Sequence, residues 1–73
     1  MGNRKSIYMK INFNTNIETI RKSKKISQEE LAELIGVSRQ TIYKWEADIF
    51  LPSLNKIEKL LEVLNVSIEK LLL

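Results

Sequence analysis

Four serines divide the chain, and their placement limits what it can become. Ser27, Ser38, Ser53 and Ser67 each stand directly before a run whose apolar residues recur at intervals of three and four. A hydroxyl in that place accepts a hydrogen bond from an amide that the first helical turn leaves without a partner. "SQEE" (27–30) adds Glu three residues after the serine, which makes it a capping box, and "TNIE" (15–18) repeats the pattern from Thr15. The capped runs predict five helices, at about 16–24, 28–35, 39–47, 54–64 and 68–72. Their apolar faces would carry Ile17 and Ile20; Leu31, Leu34 and Ile35; Ile42 and Trp45; Leu54, Ile57, Leu60, Leu61 and Leu64; and Ile68, Leu71 and Leu72. Such short connections suit a compact all-α bundle.

A chain of 73 residues has the length of one small domain, which buries a limited core and is marginal unaided. Small domains compensate with disulfides, metals, oligomers or tight helix packing. There is no Cys and no His, so disulfides, zinc ligation, Cys nucleophiles and His bases are excluded together. Helix packing or a dimer is left. No nucleophile–base set exists, and we expect neither catalysis nor a cofactor or metal. No apolar run approaches the ~18 residues of a membrane span. No signal-peptide core follows Arg4 and Lys5. The chain reads as soluble and cytoplasmic, with no membrane partner.

Residues 1–14 fall outside the helical pattern. In "IYMKINF" (7–13) Ile7, Met9, Ile11 and Phe13 alternate with Tyr8, Lys10 and Asn12, the period of a half-buried strand. A lone strand has no ladder partner within a helical domain. It either pairs with another chain or forms a mobile arm, leaving 15–73 as the domain. Charge is also uneven: residues 1–26 hold seven basic side chains against Glu18 alone, and residues 27–73 hold five basic and eight acidic ones. A basic front half suits a polyanion, although a solvated basic arm has the same composition.

Residues 28–47 are the most informative. Ala32 lies four after Gln28, and Gly36 four after Ala32; Val37, Ile42 and Trp45 follow. Two helices crossing steeply across a short turn need a small side chain at the crossing, which Ala32 supplies. The turn needs a residue at ease with positive φ, which Gly36 supplies. Leu31 and Ile35 anchor the first helix on the core, and Val37, Ile42 and Trp45 the second.

"SQEELAELIGVSRQTIYKWE" resembles the helix-turn-helix of the phage-repressor, Cro-type (XRE) transcription regulators. The resemblance runs from about Asn16 to Leu72 and includes "LPSL" and "LNVSIEKLL". It implies a five-helix, lambda-repressor-like DNA-binding domain, acting as a homodimer on a palindromic operator, with the second motif helix in the major groove. It implies a phosphate contact for Gln28. Ser38, Arg39, Gln40 and Lys44 match groove-facing positions, with Tyr43 beside them, and Trp45 matches a core position. Arg21 and Glu46 match a pair that ties the first helix to the third by a salt bridge. After Glu46 the family often continues with Asn, Gly and a basic residue, where this chain has Ala47, Asp48 and Ile49, then Phe50. Asp48 must then take the left-handed cap itself, and a loop that often holds DNA phosphates is acidic and apolar here, so that either affinity is weaker or the phosphate contacts move to the basic N-terminal segment.

The residues by themselves agree with that reading. On a helix from Arg39, Ile42, Trp45 and Glu46 share one face; Arg39, Gln40, Tyr43, Lys44 and Ala47 share the other. Arg can bond guanine O6 and N7 as a fork, and Gln adenine N6 and N7. We therefore expect Arg39, Gln40, Tyr43 and Lys44 at bases, with Lys44 also able to reach a phosphate. Gln28, Ser38, Lys22, Lys24 and Lys25 are expected at phosphates, the three lysines being equally compatible with a solvated patch. Ile49 and Phe50 suit either the core or a partner surface. The expected function is a sequence-specific transcription regulator, a repressor by preference, its dimer built on the fifth helix and leucines 71–73. The alternative is a protein-interaction module such as an antitoxin or anti-repressor, which the acidic and apolar loop at 47–50 favours.

Overall fold

The computed structural model describes residues 13–72, which form five helices: α1 (Phe13–Ser23), α2 (Gln28–Ile35), α3 (Arg39–Glu46), α4 (Leu54–Leu64) and α5 (Ile68–Leu72). No strand occurs among the described residues. Residues 1–12, and with them most of the alternating segment at 7–13, lie outside the described part. Phe13, its last member, is helical rather than extended. That corrects the capping-box reading of Thr15. The helix already runs through 13–15, so the amide of Glu18 has a helical acceptor at Asn14 and needs no cap. The Glu18 side chain instead meets Lys22 one turn on, at 2.9 Å, and the hydrogen bond from Lys22 holds its carboxyl below the ordinary value.

The other starts follow their serines. Ser27 accepts from the Glu30 amide while Glu30 accepts from the Ser27 amide. Ser38 and Ser53 cap α3 and α4 through the amides of Thr41 and Lys56, and Ser67 takes the Lys70 amide.

The ends obey one rule as well. α1 to α4 each close on a left-handed residue: Lys25, Gly36, Asp48 and Asn65. In every case the following amide reaches back to the carbonyl five residues earlier: Ile26 to Arg21, Val37 to Ala32, Ile49 to Lys44, and Val66 to Leu61. This is the Schellman closure, which satisfies carbonyls that a helix end leaves open. The residue after each left-handed position is β-branched and apolar. Ile26, Val37 and Val66 use it to pack against the core. Ile49 does not, and stays 58% exposed.

The core gathers Ile17 and Ile20 from α1, Leu31, Ala32 and Ile35 from α2, Ile42 and Trp45 from α3, Leu60 and Leu64 from α4, and Leu71 from α5. α2 packs chiefly on α3, and α1 packs on both α3 and α5. The Asn16 amide clips α1 to α5 by donating to the Leu71 carbonyl at 2.8 Å. Leu71 is fully buried, so it is not free to build a dimer as the sequence suggested; a short fifth helix folding back on α1 is enough to cover it. Periodicity also overcounts the core. Leu34, Leu54 and Ile68 sit at helical spacing but are exposed, because their helices present narrower faces to a domain this small.

Two substitutions test the closures. A Cβ at Gly36 would meet nothing within 4 Å, so Gly36→Ala should cost only the left-handed backbone strain, about 1–2 kcal/mol in urea melts. Asp48→Gly should act in the opposite sense, by less than about 1 kcal/mol, because Asp already tolerates that conformation.

Candidate nucleic-acid interface

Arg21 is 7% exposed as a residue, the one charged or polar residue that is buried as a whole among the described residues, and the side chain of its partner Glu46 is only 6% exposed. Its Nε donates to Glu46 Oε2 at 2.6 Å and its Nη2 to Glu46 Oε1 at 3.2 Å, a two-pronged pair from α1 to α3. Its Nη1 donates to the Ile26 carbonyl at 2.8 Å, in the turn that leads into α2. Gln28, at the start of α2, donates from Nε2 to Glu46 Oε1 at 2.9 Å. One guanidinium and one carboxylate thus tie α1, α2 and α3 together. Hydrogen bonding to Glu46 raises the Arg21 pKa above its ordinary value, with the opposing effect of burial overcome and the charge of Glu46 adding to the rise.

The network reaches the surface. Gln28 Oε1 faces Arg39, whose Nη1 donates to it at 3.4 Å. With Nε2 committed to Glu46, the Gln28 amide has its orientation fixed, oxygen outward. It is half-buried and engaged on two sides. Of the residues read as phosphate contacts, Ser38 is also engaged: its hydroxyl accepts from the Thr41 amide at 3.1 Å and lies 3.0 Å from the Thr41 hydroxyl. Lys22 is exposed but paired with Glu18. Lys24 and Lys25 are exposed in the α1–α2 turn, and among the described residues neither lies within ion-pair distance of a carboxylate.

Arg39, Gln40 and Tyr43 line one open cleft on the outer face of α3. Arg39 and Gln40 are exposed, Tyr43 is 51% exposed, and Ile42 and Trp45 on the opposite side are buried. Lys44 is half-buried and stands apart from that cleft, its Nζ lying 5.9 Å from the centroid of the Phe50 ring. Electrostatics at the two motif helices differ. The first turn of α2 carries Glu29 and Glu30, which offset the positive end of its dipole. The first turn of α3 has no acid and opens with Arg39, so its positive end is uncompensated.

Three contacts escape a reading by residue type: Gln28 to Arg39, Asn16 to the Leu71 carbonyl, and Lys44 over Phe50. Only the last has a local signal, an aromatic residue six positions after an isolated lysine. Among the described residues no group of His, Cys, Asp or Glu is placed to hold a metal ion. No helix there is long and apolar enough to cross a membrane.

Residues 17–71 match the family model described as helix-turn-helix. The transcriptional activator BcrR of Enterococcus faecalis, described as HTH-type, is 35% identical over 60 residues. That stretch is 82% of this chain but 29% of BcrR, so the chain spans under a third of that relative. The restriction-modification controller protein C.AhdI of Aeromonas hydrophila is 32% identical, with a TM-score of 0.76, over 81% of this chain and 89% of its own. The P22 c2 repressor, solved with a synthetic operator, is 32% identical, with a TM-score of 0.77, over 82% and 91%.

The Arg21–Glu46 pair makes a firm prediction about stability. Glu46→Ala leaves a buried guanidinium without its carboxylate and should cost about 3–5 kcal/mol in thermal or urea melts. Arg21→Met combined with Glu46→Leu should recover most of that loss, because no charge is then stranded. Additive single losses with no recovery would mean that the two side chains do not act as a pair.

Proposed function

The chain belongs to the helix-turn-helix family, of the phage-repressor and Cro type, and from that membership we propose that it is a sequence-specific regulator of transcription, cytoplasmic, that reads double-stranded DNA with α3. The observation that carries the proposal is the outer face of α3: Arg39 and Gln40 side by side, exposed, at a helix start whose dipole is left positive. That combination costs the isolated helix stability and is useful against a polyanion. Arg39 and Gln40 supply fork-shaped donors and acceptors for base edges, with Tyr43 beside them. Lys24 and Lys25, on the turn before α2, supply phosphate contacts, and Lys22 a weaker one because Glu18 competes for it. Gln28 contributes by holding Arg39, and its second amide proton remains for phosphate. Ser38 contributes through the helix start that it caps.

The same face serves repression or activation, since the sign depends on where a bound site lies relative to a promoter. We take repression as the first expectation; a related protein is described as an activator and a similar structure as a repressor.

We further propose a homodimer on a palindromic operator, with two α3 helices about 34 Å apart, one turn of DNA. Support for a second copy comes from the segment after α3. Ile49, Phe50, Leu51 and Leu54 are exposed by 45–71%, and residues 47–55 carry one charge, Asp48. Contiguous exposed apolar surface of this kind marks a partner site, and low charge lets two identical copies approach. An interaction module of the antitoxin type would use the same patch but has no need of the α3 face.

Binding measurements on specific and random duplexes separate these readings. Arg39→Ala and Gln40→Ala should each weaken cognate binding by about 1–3 kcal/mol and relax the preferred base at one position, with little effect on random DNA. Lys24→Ala should weaken both duplexes alike and lower the salt dependence by about one counterion. Unchanged affinity and preference in the α3 variants would leave the interaction module as the better reading. Leu51→Glu, at an exposed position, should shift sedimentation from dimer to monomer and leave the circular dichroism spectrum unaltered.

A further inference from the structure

Lys44 lies on the same helix as Arg39 and Gln40, yet it does not join their cleft. Its ammonium is drawn toward the end of α3, over the face of the exposed Phe50 ring. A cation within ~6 Å of an aromatic centroid is attracted by the negative face of the ring. Asp48 is the expected competitor, four residues on. However, α3 closes at Ala47, and Asp48 is left-handed, so its side chain leaves the helical register. Among the described residues it lies beyond ion-pair distance of Lys44.

Position along the axis matters as much as direction. Lys44 lies five residues beyond Arg39, about 7.5 Å further along the helix. In a helix-turn-helix it is the N-terminal part of the second helix that meets base edges. A lysine beyond that part, turned further toward the C-terminal end, faces the sugar–phosphate backbone at the groove wall. It is also the only cation between Arg39 and Lys56. The loop after α3 otherwise offers phosphate one carboxylate and a row of apolar side chains.

We propose that Phe50 is a positioning residue that turns Lys44 away from the bases and makes it the phosphate contact at the C-terminal end of α3. This rests on the DNA-binding reading above and assigns Lys44 a backbone role in place of the base contact that helical spacing suggested. A lysine ammonium on a flexible stem has no preferred direction of its own; the ring supplies one.

The test is a double-mutant cycle read by salt titrations on the cognate and a random duplex. Phe50→Leu keeps the apolar bulk and removes the π face, Phe50→Tyr keeps the face, and Lys44→Ala removes the charge. Lys44→Ala should weaken both duplexes by the same factor and lower the salt slope by about one counterion. Phe50→Leu should weaken both by roughly two- to tenfold, the cost of ordering one freed lysine side chain on binding, and Phe50→Tyr should restore wild-type affinity. In the Lys44→Ala background, Phe50→Leu should have no further effect. A loss that persists in that background would mean that Phe50 acts through assembly, which overturns the proposal. A Lys44→Ala loss confined to the cognate duplex, with relaxed base preference, would make Lys44 a base reader and also overturns it. Either result leaves the DNA-binding reading standing; that reading fails on other results, a wild-type chain that prefers no duplex over another or Arg39 and Gln40 variants that bind and discriminate unchanged.

Discussion

The structure depends on one ion pair placed where three helices meet. Arg21 and Glu46 do not add much net stability by existing, since the desolvation of two charges offsets most of their attraction. Their consequence is geometric. A guanidinium has a rigid fork of donors, and here each arm has a different acceptor: two go to Glu46 on α3 and one to the Ile26 carbonyl before α2. Any sliding of α3 against α1 would break a buried bond. Gln28 adds the third side by bonding Glu46 from α2. The angle at which α3 leaves the core is therefore set by polar contacts with direction, where the surrounding Leu and Ile side chains would tolerate several angles.

That constraint continues outward to the surface. Gln28 carries the order from the pair to Arg39, and the Ser38 cap fixes the turn from which Arg39 projects. The first side chain of the proposed reading face thus has a polar partner, and its backbone a capped turn, before any ligand arrives. Preordering a donor fork reduces what binding must spend on side-chain entropy. At the other end of α3 a different device operates: Asp48 closes the helix, Ile49 is left in solvent, and Phe50 takes Lys44. One end of the helix is ordered by a polar network rooted in the core, and the other by an exposed aromatic ring.

Local features were legible in the sequence, and contacts between distant residues were legible only where a family pattern stood behind them. Ser27, Ser38 and Ser53 mark their helices because a cap acts over three residues. Gly36 follows from the same short-range logic, and the left-handed Asp48 from comparison with the family pattern, which often has glycine near there. Thr15 misled because a capping box cannot show whether the chain before it is already helical. Lys25 and Asn65 take left-handed caps that no glycine announces. Leu71 looked like a sticky chain end because nothing local reveals that α5 turns back onto α1 and that Asn16 waits for its carbonyl, 55 residues away in sequence. For the candidate site, Arg39, Gln40 and Tyr43 could be placed on one face by helical spacing alone. The separation of Lys44 from them could not, since it depends on where the chain goes after the helix ends.

The central claim is that α3 reads a DNA sequence as one half of a symmetric pair. Selection of bound sites from random duplex DNA by the full chain addresses it most directly. The account predicts enrichment of an inverted repeat whose half-sites are centred about one helical turn, ~34 Å, apart. Recovery of duplexes with no shared sequence, at an affinity that simply tracks salt concentration, would contradict it.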